Sequence, residues 1–200
     1  MSARQAIRIA AAAVVILSAF AVALIAAGVF DPQPLGPLIH TDKPGRHSLN
    51  ETGERNFAVP APWVAGTTPD SFSVRLVATY IDGELDSGYG LALGDDTGRL
   101  VVAVSPLGYA AIWEEAVPGE ITYHLPWQTW PHIRMGGADN EIWLDVVRDS
   151  GRANLTARIN REVLWQGLVD LHPDTISLYQ STFGAPVTTD FRTLEWFAGP

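Results

Sequence analysis

The sequence predicts an all-β domain, a two-sheet antiparallel sandwich of jelly-roll type, preceded by one N-terminal α-helix. Three observations carry that expectation. From about Asn56 onward, apolar and polar residues alternate with a period of two in short runs, as strands with one buried face require. Gly, Pro, Asp and Asn break those runs at regular spacing, the pattern of hairpin-linked strands rather than of crossover helices. No stretch of ten or more residues beyond the N-terminal segment shows a helical period.

The helix comes first. Ile9 to Val29 reads IAAAAVVILSAFAVALIAAGV, with Ser18 its only polar side chain. At about 1.5 Å per residue this run spans roughly 32 Å, close to the hydrocarbon thickness of a bilayer. A single segment in lipid satisfies its backbone only as a helix, so residues 9–29 are expected to cross the membrane. Arg4 and Arg8 precede the run and no acidic residue occurs before Asp31, which places the N-terminus in the cytoplasm and the remainder outside. The alternative is a cleaved secretory signal ending near Ala21 and Ala23, which exports the remainder equally. Ala19, Ala23 and Ala27 would place a smooth stripe on one helix face, suited to close helix packing.

Three regions follow: residues 1–30 as cytoplasmic tip and anchor, 31–55 as an extracytoplasmic linker, and 56–200 as the sandwich. Pro32, Pro34, Pro37 and Pro44 mark the linker, because proline blocks both helix and ladder pairing and favours extended chain. An ordered wrap against another membrane subunit is the other reading of that segment. The first strand is poorly marked, somewhere in 56–64. SFSVRLVATYI then sets Phe72, Val74, Leu76, Ala78 and Tyr80 against Ser73, Arg75, Val77 and Thr79. GYGLALG and RLVVAVS follow around a turn at Asp95, Asp96, Thr97 and Gly98, and Ser105–Gly108 leads into YAAIWEE. Pro126 puts ITYHLPW at a sheet edge or ends it there. NEIWLDVVRD places Ile142, Leu144 and Val146 on one face, ANLTARI and VLWQG form a hairpin about Asn160, and TISLYQS and DFRTLEWF close the chain.

The order of these strands resembles the concanavalin A-like lectin and glucanase sandwiches, in a bacterial branch related to laminin G-like and 3-keto-disaccharide hydrolase-type domains. The matching stretches are FSVRLVATYIDGELDSGYGLAL, VVAVSPLGYAAIW, NEIWLDVV with ARINRE, and TISLYQSTFG with DFRTLEWF. The resemblance covers about Ser71 to Phe197 and implies two packed antiparallel sheets. It implies no activity, since many such domains are accessory modules. One departure stands out: the family's Val-Asn-Gly turn is Ile159-Asn160-Arg161 here.

Charge and composition remove several functions. Outside the helix 11 basic residues face 22 acidic ones, a net charge of about −11, which argues against nucleic acid and anionic lipid surfaces. With no cysteine there are no disulfides, thiolate metal sites or cysteine nucleophiles. Histidines 40, 47, 124, 132 and 172 show no ligand spacing, so no metal or other cofactor is expected. Asp95, Asp96 and Thr97 could offer oxygens to calcium, although turn aspartates usually shape the turn. A glycosidase needs two carboxylates about the scissile bond. Glu141 and Asp145 share a strand face, but Trp143 occupies the middle position, which reads as an exposed strand face. Adjacent Glu114 and Glu115 point to opposite faces. No catalytic residue is assigned.

Aromatic residues offer more. Six of seven tryptophans fall between Trp113 and Trp196. Trp127 and Trp130 lie in a proline-flanked, loop-like stretch, Tyr109 and Trp113 share one strand face, and Trp143 sits between two acids. Rings beside carboxylates or amides suit the apolar face and hydroxyl rim of a sugar. The expected function is therefore a non-catalytic extracytoplasmic module that binds a glycan or envelope partner through these five residues. The alternatives are an accessory subunit of a membrane complex and a carbohydrate-active hydrolase.

Overall fold

A computed structural model describes residues 3–26, 28–29, 31–63, 67–94, 98–117, 119–149, 151–171 and 174–199, the side chains of 3–4, 6–11 and 117 excepted. The chain divides into two units, Met1–Gln33 and Pro34–Pro200. The first holds α1 (Ala3–Ala26). It ends at Gly28, whose φ of 70° is left-handed. There the Gly28 amide donates to the Ile25 carbonyl at 3.0 Å and the Val29 amide to that of Leu24 at 3.1 Å, a Schellman cap. Consecutive Val14, Val15, Ile16 and Leu17 are all exposed. Among the described residues no helix is long and apolar enough to cross a membrane. Residues 9–11 and 27 of the sequence-predicted span lie outside the described side chains.

The second unit is all strand: β1 (Leu38–Asp42), β2 (Gly45–Leu49), β3 (Gly53–Val59), β4 (Ser71–Gly83), β5 (Ser87–Gly94), β6 (Arg99–Val104), β7 (Tyr109–Val117), β8 (Glu120–Thr129), β9 (Asn140–Asp149), β10 (Arg152–Ile159), β11 (Glu162–Val169), β12 (Thr175–Thr182) and β13 (Val187–Ala198). They form two antiparallel sheets. One runs β1-β13-β4-β9-β10-β11, with β2 also on β13; the other runs β3-β12-β5-β6-β7-β8. The period of two decides which side chains meet between them. Phe72, Val74, Leu76, Ile142, Leu144 and Val146 face Leu91, Leu93, Leu100, Val102, Ile112 and Leu178, all essentially buried. Each such side chain contributes about 1.5–3 kcal/mol. β8, which carries Pro126, is a sheet edge, as its proline requires.

The segment expected as linker contains strands instead. β13 offers one long edge, to which β2 pairs along Val187–Phe191 and β1 along Leu194–Phe197. Pro44 falls between the two, so its missing N–H removes no ladder bond. The proline-rich stretch before β1 is docked as well. The Leu35 amide donates to Ser73 Oγ at 2.8 Å, and a Cβ on Gly36 would lie 1.9 Å from the Ala198 carbonyl oxygen.

Asn140 ties the two sheets together. Its Nδ2 donates to the Tyr89 hydroxyl and the Arg134 carbonyl, both at 2.9 Å. Its Oδ1 accepts from the Arg134 amide and from Asn160 Nδ2, again at 2.9 Å. Asn160 and Arg161 turn the β10–β11 hairpin with φ of 51° and 76°, the two positive values of a type I′ turn. Arg161 thus adopts the backbone for which the related turn uses glycine.

Two outcomes follow. Burial pushes the Tyr89 phenol up to about 12. Both states keep the proton below pH 10; between pH 10 and 12 the unfolded chain loses it first. Stability is therefore complete below pH 10 and falls by roughly 2–3 kcal/mol as pH rises to 12. Denaturant melts across that window check this, with Tyr89→Phe giving a flatter profile. Arg161→Gly should exceed Arg161→Ala in stability by about 1 kcal/mol, since both lose the side chain and only one relieves the backbone; equal melting temperatures would remove the strain argument.

Candidate functional site

The outward face of the second sheet carries small residues along its centre: Gly88, Gly90 and Ala92 on β5, Val101 and Ala103 on β6, and Ala111 on β7. All of them are buried. Outward side chains on strands must be small here because long ones from either side lie across them. Trp113 of β7 meets Tyr179 of β12 edge-on, with ring centroids 5.2 Å apart, above the intervening β5 and β6. Trp127 and Tyr123 of β8 flank Trp113 at 6.1 and 6.2 Å. Arg99 of β6 reaches Glu115 at 2.6 Å and also pairs with Glu54 of β3. The Tyr179 hydroxyl donates to the same Glu54 at 3.0 Å. The Gly119 amide, and then Arg99, hold the Glu115 carboxyl below its usual range, against a burial that raises it.

This roof stops at Trp127. Beyond it lies a cavity of about 290 Å³ lined by Asp86, Ser87, Ser105, Tyr109, Trp127 and Phe183. The Trp127 ring rests on β5 where Gly88 leaves room: a Cβ there would come within 3.0 Å of the ring and 2.9 Å of Ser181 Oγ. The loop before β5 and the loop after β12 are tied by the Phe183 amide donating to the Asp86 carbonyl at 3.0 Å. Glu84 Oε1 accepts from the Asp86 amide at 3.0 Å. Ser105 Oγ accepts from the Leu107 amide at 3.2 Å. Ser87 Oγ is buried and has no hydrogen-bond partner. Phe183 is 64% exposed and Tyr109 38%, so both present ring surface at the mouth.

The structure brings Tyr109 and Trp127 together in this cavity. Trp127 does so from a strand rather than the expected loop. Trp113 stands behind it, 4% exposed, and supports the wall without offering a face. Trp130 turns the other way, against the core between the sheets, and meets the His132 ring at a tilt, with centroids 5.6 Å apart. Trp143 lies on the opposite sheet and is 1% exposed; its Nε1 donates to Asp145 at 2.7 Å under the Arg158 guanidinium, 5.2 Å from the ring. Buried on both sides, it has no surface for a ligand. Asp86, Ser87, Ser105 and Phe183 are not among the residues the sequence singles out. The available signal was a lone aromatic, Phe183, among polar turn residues, and an Asp-Ser pair directly before Gly88.

Of the carboxylates weighed for hydrolysis, Asp145 and Glu114 are held by neighbouring side chains, whereas Glu141 Oε1 is buried with no hydrogen-bond partner. Asp145 accepts from Ser73 Oγ at 2.6 Å and from Trp143, and pairs with Arg158. Glu141 faces Arg75 at 3.9 Å, and Glu114 faces His124 at 3.2 Å. The candidate calcium oxygens of Asp95, Asp96 and Thr97 lie outside the described residues. Among the described residues no group of three or more His, Cys, Asp or Glu is placed to hold a metal.

No protein-family model and no curated protein sequence matches this chain. Solved structures with a similar fold are distant. A xylan β-1,4-xylosidase from Bacillus halodurans is 11% identical with a TM-score of 0.48, over 75% of this chain and 32% of that one. The GH43 protein BlXynB from Bacillus licheniformis is 10% identical with a TM-score of 0.45, over 64% and 28%. Botulinum neurotoxin type C, in a structure concerned with its interaction with two ganglioside molecules, is 10% identical with a TM-score of 0.49, over 84% and 42%. The chain thus spans less than half the length of each of these structures, and likeness at this level carries no functional argument.

Proposed function

We propose that this chain is a non-catalytic binding module for neutral carbohydrate, that its site is the cavity at Trp127, and that the apolar helix anchors it in a membrane with the sandwich outside. The observation that carries the binding reading is the lining itself: three aromatic rings and one carboxylate around about 290 Å³. That is near the lower end of ligand cavities, roughly 300–1,000 Å³, and suits a single sugar ring with part of the next. Trp127, Tyr109 and Phe183 supply flat apolar surface for the C–H face of such a ring. Asp86, exposed at the rim, accepts from its hydroxyls.

No lining residue is basic, which disfavours acidic sugars. One carboxylate instead of two supports binding without cleavage. The concanavalin A-like assignment belongs to this reading and draws support from the two antiparallel sheets and their order. The anchor draws support from a 24-residue helix with exposed apolar side chains on successive positions, which water does not stabilise. Exposed Leu85 and Leu107, next in sequence to lining residues or their turn, and exposed Met135, packed near Gly108, favour a second reading, in which an envelope protein docks at the same end and the chain is an accessory subunit.

Full-length protein in mild detergent tests the binding site against immobilised cellulose, xylan, chitin and α-glucan. Phe183→Ala, at an exposed position, should leave the melting temperature unchanged and weaken retention about tenfold; Trp127→Ala should abolish it. Retention by neither parent nor variant, with a protein companion recovered instead, would move the assignment to the subunit reading. Alkaline carbonate washing of membranes checks the anchor: the full chain should stay in the pellet, and its release would refute insertion.

A further inference from the structure

We infer that the cleft reads the end of a sugar chain and not its middle; this rests on the carbohydrate reading above. A sheet face floored with Gly88, Gly90, Ala92, Ala103 and Ala111 would by itself form an open trough along the strands. A polysaccharide could lie in such a trough with both of its ends free. Here the trough is filled directly behind Trp127. Trp113 and Tyr179 are 4% and 3% exposed, and Val101, Ala103 and Ala111 beneath them are sealed from solvent.

The filling is held from both sides. Arg99 is clamped between Glu54 and Glu115, and the Tyr179 hydroxyl donates to Glu54. A partly buried pair with a further hydrogen-bonded phenol does not open cheaply, because each group removed leaves another desolvated. Trp127 itself is wedged between Trp113 and the backbone at Gly88. The cavity therefore has a back wall along the strand direction, while Phe183 and Tyr109 present exposed ring surface at its mouth. An internal sugar residue carries two linkages and needs two exits. A terminal residue needs one. A chain lying along the strands therefore enters such a site only by its terminal residue.

The test uses full-length protein and length ladders of four neutral glycans (β-glucan, xylan, chitin and α-glucan oligosaccharides, each beside its soluble polymer) in titrations that read affinity and stoichiometry. End recognition gives one protein per chain at every length, and an affinity per unit mass that falls about tenfold for each tenfold increase in length, by mass action. Arg99→Met and Trp113→Ala, each checked by thermal melt, should add binding along the polymer by opening the trough. Several protein molecules per wild-type chain, with affinity growing with length, would overturn the inference and leave the binding site standing. Binding to none of the ladders would remove both together.

Discussion

In this sandwich the central strands are buried on both faces, and most of the remaining architecture answers that constraint. β5 reads SGYGLALG and β6 RLVVAV, and every residue from Ser87 to Leu93 and from Leu100 to Val104 is buried. A strand in a two-layer antiparallel fold usually shows its second face to water. Here the outward positions have been made small and then covered. An aromatic side chain buries about 150–250 Å², worth about 4–6 kcal/mol before entropy is counted. Trp113 and Tyr179 obtain that burial by lying across the glycines and alanines of the outer face, so they act as a third, thin layer. In a chain with no disulfide, such additional burial is a direct source of stability.

The other sheet covers its outer face with different chemistry. Ser73, Trp143 and Arg158 converge on Asp145, and the Leu35 amide adds itself to Ser73. One nearly buried carboxylate is thereby satisfied by three side-chain donors, which keeps its burial from being a penalty. Both outer faces being occupied, open space is left where strands end and loops begin.

What the sequence made legible was everything that depends on parity. The alternation in Phe72–Ala78 and Ile142–Val146 placed the core faces, and Tyr109, Ala111 and Trp113 were recognisable as sharing a side. Parity does not tell whether an outward ring is roof, wall or platform. That depends on partners such as Tyr179 and Glu54, which are remote in sequence and arrive through the register of β12 on β5 and of β3 on β12. The strands of 38–49 were hidden for a related reason. Their prolines read as linker, and only the length of β13 supplies the edge that pairs them. Arg161 acts in the opposite direction: its presence after Asn160 puts a glycine-type turn in doubt, yet the bonds of Asn160 to His132, Asn140 and Glu141 hold that turn without a glycine.

The position of the cavity follows from the strand directions. β5, β7 and β13 begin, and β6, β8 and β12 end, at the cavity's end of the sandwich. The chain comes into this unit at the other end, where Pro37 meets Ala198 and Ser71 meets Gly199. Loops at the cavity end are thus free to vary in sequence without disturbing how the chain is received. The back wall is not free, because Trp127 rests on Gly88 and on Trp113, and Trp113 in turn rests on Tyr179. A change in depth of the site requires a change in that stack, whereas a change in its mouth requires only Phe183, Leu107 or Met135. Depth is therefore a property of the fold and selectivity at the rim a property of the loops.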